Sequence, residues 1–569
     1  MTSTMTVLDT FLQQILSALS SRNGTALIDL LALDLNSLRS DQQRPYNDLH
    51  SFLNQQYPAT KDAELSTKIK ASLPSSSFAT FQIPFSELLS QYFRYLRDFA
   101  NTSNLQKAKL IRQLTSQCVL ALGNPEYGSM MIPIALSFTR VLGSIAANLD
   151  RNPALTADDL SLRDTNAGEG GGKVSHLEQA ANTLREAFVK CLTGAPGTSR
   201  LQRPAATDKR SGIYLTANST LKLLHQAGKL RNAVQMFSSI DVQSPPLDYY
   251  PAAQRVTYLY YLGRFHWANN HFLHAQRCLQ SAYDQCHRDA TSQRRKILIY
   301  LFACSICLGR LPDQILLRDR AAHTISRPFL KLCQIIKAGD LGALDVYLDY
   351  ANPSNDNFEA RWFMRMKILL QLRNRCEVLC WRSLIFHTFS AVGFKADDTP
   401  GENGSGGRVS GVPWIRFGAI HDAAVFSWRR ARGRHLNDKR SSYIDPDFQD
   451  MPDELDDDDD DDGDGDDAPS MHEVDSMIIS LIGQGLLGGF VQHDANDPAK
   501  SRWAIREQRT AGAARRSWQE VGFPSVWHVV QEKAKDWEAA DFVPGWVTQA
   551  RLMDGPGISS RQTDDSVSG

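Results

Sequence analysis

Apolar residues recur at intervals of three and four along most of the chain, a period that predicts amphipathic α-helices. The pattern begins at residues 6–33, where a break at Asn23-Gly24 fits a left-handed helix end and predicts a helical hairpin. It continues over about 83–121 and 130–150. Because strand-like alternation is scarce between Val174 and Gly393, the sequence predicts a mainly α-helical protein.

Helical periods between Val174 and Gly393 follow one another with short polar joints. Antiparallel helix pairs with such joints stack into a solenoid, because each pair buries the apolar face that its neighbour leaves open. The joints are QAGKL at 226–230, WANNH at 267–271, GRLPD at 309–313 and KAGDL at 337–341.

One segment of this region, HWANNHFLHAQRCLQSAYDQCH at 266–287, is rich in metal-ligand residue types and has two interpretations. His271, His274 and Cys278 share one helix stripe, but a structural zinc site needs a fourth ligand and paired spacings that are not evident here. The alternative is a packed tetratricopeptide-type hairpin, with small or apolar residues at the offsets 0, +12, +16 and +19 of Gly263, Ala275, Leu279 and Ala282. We predict packing and no metal.

Residues 471–508 change the pattern near the C-terminus. A helical period ends at Gly483-Gln484-Gly485, and the runs FVQH and SRWAI then alternate in the manner of a short hairpin. Helix, glycine turn and hairpin together are typical of a winged helix. Its apolar positions predict a partner interface in which most members close the local core and one or two are interfacial: Met477, Leu481, Leu486, Leu487 and Phe490.

Composition divides the rest of the chain. The formal net charge is −1, but residues 453–467 hold 12 acids and no base, which leaves 51 acids against 62 Lys and Arg elsewhere. A solvated spacer is the favoured interpretation of this run, and competition with nucleic acid for basic surface is the alternative.

The predicted organisation is an N-terminal helical region 1–152, a flexible linker 153–173, helical repeats 174–394, a disordered insertion 395–412, a helix 413–430 leading to the winged helix, a basic and acidic disordered insertion 431–470, the winged helix 471–508 and a partly disordered extension 509–569.

The sequence carries no sign of catalysis. The glycine-rich run NAGEGGGK at 166–173 departs from a phosphate loop, because Ala167 stands where its first glycine belongs and Val174 where its hydroxyl belongs. Patterns of zinc and serine hydrolases are missing. We therefore expect a protein without catalytic residues, cofactors or metal.

Nine cysteines without regular spacing, most of them within apolar helical patterns, indicate reduced thiols in a cytosolic or nuclear protein. The N-terminus lacks the features of a signal peptide, and no apolar run approaches the roughly 20 residues that cross a bilayer. We expect a soluble chain without membrane insertion.

Nucleic-acid binding would require several Lys or Arg side chains on one surface to neutralise phosphates. One candidate set lies on or beside the second wing strand and in the preceding basic run: Arg502, Arg506, Arg429, Arg430, Arg432 and Arg434. A second set, for which a solvated helix N-terminus is an equal alternative, is Arg294, Arg295 and Lys296. No aromatic stripe accompanies these residues along the sequence, so we expect non-specific binding.

The segment AQRVTYLYYLGRFHWANNHFLHAQRCLQSAYDQCHRDATSQRRKILIYLFACSICLGRLP at 253–312 resembles PCI-domain proteins of the Thp and PCI-domain-containing-2 type. The family shows AQRVTY, YY, GR, HCHR and ILIYL in this order. The likeness extends forward through RPFLKLCQIIKAGDLGALDVYLDY and WRSLIFHTF, backward to LQQILSALSSRNG, and to the winged-helix motif at 474–491. The resemblance implies a right-handed, TPR-like helical-repeat solenoid capped by a winged helix.

It also implies a function. Similar proteins are the PCI subunit of the TREX-2 mRNA export complex at nuclear pores. There they pair through their winged helix with a large scaffold subunit, bind a small acidic Sem-type protein and help bind RNA or DNA. The alternative is a protein like the COP-nine signalosome-associated subunit twelve, linked to splicing or protein degradation. The block at 253–312 and the N-terminal LQQILSALSSRNG favour the export branch.

Overall fold

The computed structural model describes most of the chain, and the account below concerns that part alone. It covers residues 6–33, 40–73, 75–99, 102–152, 155, 174–193, 201–312, 314–350, 357–394, 412–438, 468–505 and 517–535. For 40–42, 75–79, 432–438 and 534–535 it gives the backbone without the side chains. Apart from residues 155 and 412, the predicted linker 153–173 and the predicted insertion 395–412 lie outside the described residues, as does most of the predicted insertion 431–470.

The chain divides into two compact units, of which the first comprises the described residues up to Asn269 together with Asp284–Cys286. It is built from helices alone, and neighbours such as α6 with α7 and α8 with α9 pack side by side. Its helices are α1 Val7–Ser20, α2 Gly24–Leu30, α3 Ser40–Gln56, α4 Asp62–Ser72, α5 Ser75–Asp98, α6 Asn104–Leu122, α7 Gly128–Arg151, α8 His176–Leu192, α9 Ile213–Gln226, α10 Val234–Gln243 and α11 Ala252–Ala268.

The predicted N-terminal hairpin is present, but its turn differs from the prediction. Thr6 and Asp9 form a capping box that begins α1. The left-handed residue is Arg22, with φ 52°, rather than Asn23 or Gly24. Asn23 instead caps α2, because its side chain accepts a hydrogen bond from the Ala26 amide at 3.1 Å. Asn23 therefore begins α2 as its polar N-cap, where we had expected Asn23-Gly24 to end α1 in a left-handed conformation.

Helix α7 is long and apolar enough to span a membrane by length and composition, and 56% of its most apolar window is buried within the protein. Inside its unit it packs against α2, α6, α8 and α9. Met131, Ala135 and Phe138 on this helix are fully buried. These contacts are the ones a core helix makes.

The second unit comprises Asn270–Tyr283 and the described residues from His287 onward. Its helices are α12 Phe272–Gln285, whose last two residues belong to the first unit, α13 Thr291–Cys307, α14 Gln314–Leu317, α15 Ser326–Ala338, α16 Leu341–Leu348, α17 Phe358–Arg365, α18 Leu369–Val392, α19 Phe417–Asp438, α20 Met471–Gly483, α21 Trp518–Gly522 and α22 Val526–Lys535. Its strands are β1 Trp414–Arg416, β2 Phe490–Gln492 and β3 Arg502–Ala504. The prediction of a mainly α-helical repeat fold is confirmed.

The polar joints predicted between helices share one physical feature. Each contains a residue with positive φ, the left-handed conformation that ends a helix and reverses the chain. These residues are Gly228, Asn270, Gly309 and Gly339, with φ values of 74°, 61°, 72° and 69°. In the second hairpin helix Ala275, Leu279 and Ala282 are buried, as the spacing predicted. The close approach of Gly263 to that helix stays a prediction.

The winged helix contains the predicted helix, glycine turn and hairpin, and it also contains a strand that we did not predict. Strand β3 lies in the middle of an antiparallel sheet of order β1-β3-β2. The helix predicted at 413–430 therefore begins only at Phe417, because Trp414–Arg416 pairs with Arg502–Ala504. It ends at Asp438 instead of residue 430, so part of the predicted insertion is helical.

Residues 517–535 pack against the winged helix within the second unit. The Gly488 amide donates to the Gly522 carbonyl at 2.9 Å. The side chain of Phe523 lies among the rings of Phe386, Phe389 and Trp503. The C-terminal extension after residue 509 therefore includes an ordered segment that completes the core of the module.

Candidate nucleic-acid interface

The two faces of the three-stranded sheet differ sharply in exposure. Ile415 and Trp503 pair across β1 and β3, and both side chains are buried. Side chains alternate along a strand, so their neighbours Trp414, Arg416 and Arg502 lie on the opposite face. Arg416 and Arg502 are exposed there. This outer sheet face, defined by Trp414, Arg416, Arg502, Phe490 and Gln492, is the candidate interface.

Two arginines meet over one tryptophan ring on the outer sheet face. The guanidinium carbon of Arg502 lies 4.2 Å from the ring centroid of Trp414, and that of Arg416 lies 6.0 Å from it. Both distances are within the range of cation–π attraction. The ring is itself stacked with Phe394 at a centroid separation of 5.8 Å. The guanidinium groups are thereby held in place without being buried.

The register sets these like charges directly opposite each other. Arg416 pairs with Arg502 across β1 and β3, and Gln492 pairs with Arg502 from the other side. Like charges facing each other across a sheet destabilise it. A phosphate between the two guanidinium groups would relieve that repulsion and could accept hydrogen bonds from both. The arrangement is therefore suited to an anionic polymer.

The sequence analysis identified Arg502 but missed Arg416 and Trp414. Their signal is the alternation in PWIRF at 413–417, which is too short to predict a strand and lies far from the hairpin that completes the sheet. The sequence shows no aromatic stripe beside the wing arginines, but the fold brings two aromatic residues to them. Trp414 and the exposed Phe490 come from separate strands and share the outer sheet face with Arg502.

The other arginines predicted near the winged helix are distributed differently. Arg429 is exposed on α19. Arg430 forms an ion pair with Asp340 at 2.8 Å, and Asp340 also caps α16 and accepts a hydrogen bond from Ser427. Part of this predicted basic surface thus joins α16 to α19. Arg506 and the side chains of Arg432 and Arg434 lie outside the described residues.

Arg294 was a candidate for nucleic-acid binding, with a solvated helix N-terminus as the equal alternative, and its burial contradicts both. Its side chain is buried and donates two hydrogen bonds to the Asp319 carboxylate, at 2.9 and 2.7 Å. Its guanidinium carbon also lies 4.0 Å from the centroid of the Tyr283 ring. The neighbouring Arg295 and Lys296 are exposed. Arg294 therefore holds the fold together, and the predicted cluster is reduced to two side chains.

Asp319 is the centre of this buried network. Burial favours its neutral form, but hydrogen bonds from Tyr283, the Ala321 amide and Arg294 outweigh burial and lower the pKa of Asp319. The Tyr283 hydroxyl donates to the same carboxylate oxygen as Arg294, at 2.5 Å. The carboxylate is therefore ionised at neutral pH, and it accepts hydrogen bonds from Tyr283, the Ala321 amide and Arg294.

The predicted partner residues separate into core and surface. Leu481, Leu486 and Leu487 are at most 2% exposed, so they close the core of the module and cannot meet a partner. Phe490 is 42% exposed and Met477 is partly buried. The prediction of a partner interface is thus narrowed to Met477 and Phe490.

The histidines and cysteines that suggested a metal do not converge. Within the described ranges, no three His, Cys, Asp or Glu side chains are placed to hold a metal ion. All nine cysteines are buried, and none of them forms a disulfide. Burial raises the pKa of Cys191 and Cys307 to about 12, so these thiols are protonated at neutral pH and poorly suited to redox chemistry or metal binding.

Comparison of the amino-acid sequence with those of known proteins finds several similar proteins. A PCI domain-containing protein of Schizosaccharomyces pombe is 24% identical over 319 residues, which is 56% of this chain and 67% of the relative. A protein named CSN12 homolog from Neurospora crassa is 28% identical over 48% of this chain and 60% of its own length. PCI domain-containing protein 2 of Danio rerio is 26% identical over 55% of this chain and 67% of its own length. No family model matches the chain.

Proposed function

Because the chain is a PCI-domain protein related to both PCI domain-containing protein 2 and CSN12 homologues, we propose that it is a non-enzymatic scaffold subunit of a TREX-2-type nuclear mRNA export complex. In this proposal it acts at nuclear pores. Its winged helix pairs with a large scaffold subunit, and the protein also binds a small acidic Sem-type protein. The outer sheet face of the winged helix contacts RNA or DNA without reading sequence.

The observation that carries the nucleic-acid part is the pair of exposed arginines, Arg416 and Arg502, beside the Trp414 ring. Guanidinium groups bind phosphates, and aromatic rings stack on bases of single strands without distinguishing them strongly. The sheet face combines both chemistries within one small area. This combination supports nucleic-acid binding whose affinity depends on charge and falls as the salt concentration rises.

Charge reversal tests this surface. We expect the double substitution Arg416→Glu with Arg502→Glu to weaken binding of a fluorescent single-stranded RNA by at least about tenfold at low salt, and to reduce the salt dependence of binding. A matched control reverses two exposed charges elsewhere, Arg203→Glu with Lys222→Glu. Equal affinities of the two double variants would exclude the outer sheet face as the binding surface.

Assembly membership is tested separately. For the export proposal we expect purification of the tagged chain from its own cells to recover a large PCI-containing scaffold subunit and a small acidic protein. The likeness to CSN12 homologues supports a second candidate, a signalosome-associated subunit. Recovery of signalosome subunits in place of the scaffold subunit would transfer the assignment to it.

A further inference from the structure

A groove with a cavity volume of about 510 Å³ lies beside the N-terminal half of α20, where that helix faces α16, α18 and α19. Its size is within the range of ligand pockets in proteins. Its apolar lining comes from Leu341, Leu344, Trp381, Trp428 and Met477. Met477 is one of the two predicted partner residues that remain accessible. The groove therefore has an apolar lining with two tryptophans, formed by four helices of one unit.

The rim of the groove is predominantly acidic. Asp345, Glu377 and Glu473 line it, with Arg373 as the one Lys or Arg side chain among its lining residues. Asp345 is already paired with Arg373 at 2.9 Å. The Glu473 carboxylate accepts a hydrogen bond from the Ser470 amide at 2.9 Å. Two of the three carboxylates thus have structural partners.

Glu377 is the remaining carboxylate; the residue is exposed, and within the described part of the chain no side-chain or backbone donor hydrogen-bonds to it. Partial burial raises the pKa of Glu377; the charge of Arg373 opposes the rise, and the carboxylates of Asp345 and Glu473 add to it. A negative charge held near other negative charges and close to apolar surface favours an incoming cation.

We propose that this groove docks a basic segment of a partner protein and receives one of its arginine or lysine side chains at Glu377. The charged group pairs with the carboxylate, while the aliphatic stem covers the apolar lining and the tryptophan rings attract the cation. Charge complementarity excludes two other occupants. Nucleic acid is repelled by the acidic rim, and so is the chain's own run 453–467, which holds 12 acids and no base.

The proposal does not depend on which assembly the protein joins. The groove is acidic and the outer sheet face is basic, so the two surfaces select partners of opposite charge. A protein partner with a basic segment and a nucleic acid could therefore be bound at the same time, each on its own surface of the second unit.

The test uses the full chain and a short fluorescein-labelled peptide of leucine and alanine carrying three arginines. We expect Glu377→Lys to weaken peptide binding, measured by fluorescence polarisation, by about tenfold. The control Asp289→Lys makes the same charge change at a side chain that is 93% exposed and is not part of the groove, and it should change affinity less than about twofold. A peptide with glutamate in place of arginine should in turn prefer the Glu377→Lys chain.

A neutral variant separates docking from folding. Because the raised pKa of Glu377 means that its charged form is disfavoured in the folded state, Glu377→Gln should keep or raise the melting temperature while weakening the arginine peptide several-fold. Equal binding of a peptide with glutamine in place of arginine, or unchanged affinity of both Glu377 variants, would overturn the proposal. So would slow amide exchange at Leu341–Leu348 that depends on residues 453–467, because the chain itself would then occupy the groove.

Discussion

Arg294 and Arg502 lie over aromatic rings at nearly equal distances but have different roles. The guanidinium carbon of Arg294 lies 4.0 Å from the Tyr283 ring centroid, and that of Arg502 lies 4.2 Å from the Trp414 ring centroid. Arg294 is buried and matched by Asp319, whereas Arg502 is exposed and faces a second arginine. Stacking therefore does not decide the role of an arginine. The role depends on the charge of the neighbouring side chain and on exposure to solvent.

The largest expected effect comes from breaking the buried pair. Asp319→Asn leaves the Arg294 charge buried without its carboxylate, and removing one partner of a buried pair costs about 3 kcal/mol or more. We expect this loss in the free energy of unfolding measured by urea denaturation. RNA affinity of the folded variant should stay the same. A loss of RNA binding with no loss of stability would reverse the roles given to the two arginines.

The pH dependence of the same variant gives an internal check. The pKa of Asp319 is lowered in the folded state, so its contribution to stability is complete above its ordinary value of 3.8 and is lost as the pH falls through the lower folded value. The stability curves of the native chain and Asp319→Asn should therefore differ at neutral pH and converge in acid. Parallel curves over the whole range would mean that the carboxylate charge is not the source of the difference.

A smaller effect on stability is expected from a substitution at Gly488, in the wing turn that packs against residues 517–535 and supports the outer sheet face. A Cβ at Gly488 would lie 1.9 Å from the Val521 carbonyl oxygen, so the contact between the wing turn and residues 517–535 must open. Overpacking of this kind costs about 2 kcal/mol. We expect Gly488→Ala to lower the melting temperature and to weaken RNA binding together. The control Gly24→Ala introduces a Cβ that meets nothing within 4 Å and should leave both unchanged.

The sequence could predict what depends on near neighbours along the chain. The polar joints indicated where the repeat helices end, and the glycine turn with its alternating runs indicated the wing hairpin. Strand β1 escaped prediction because it has three residues and pairs with a strand far along the chain. Arg294 was misjudged because its partner Asp319 lies 25 residues away. One local signal was available, since Arg294 precedes Ile297, Leu298 and Leu301 on the same buried stripe of α13.

Removing the ring beneath Arg502 should affect RNA binding more than stability. Trp414 is only partly buried and lies on the outer sheet face, so Trp414→Leu keeps much of the apolar contact with Phe394. Loss of base stacking and of the cation–π support should weaken a single-stranded RNA by about 1 kcal/mol, or roughly fivefold. The matched variant Tyr283→Leu, which loses the hydrogen bond to Asp319, should lower stability and leave RNA affinity unchanged.

The smallest effect on RNA affinity comes from lysine substitutions, which test the comparison most directly because they keep the charge of each arginine and change only the shape of the side chain. Lysine in place of Arg502 retains a positive charge on an exposed strand, so RNA affinity should fall only about twofold and stability should not change measurably. Arg294→Lys cannot reproduce the guanidinium bonds to Asp319 or its stacking on Tyr283, so it should lose at least about 1 kcal/mol of folding free energy. Urea denaturation and RNA titration of the two variants measure both quantities. If both lysine variants lost the same stability, burial would not be what separates the two arginines.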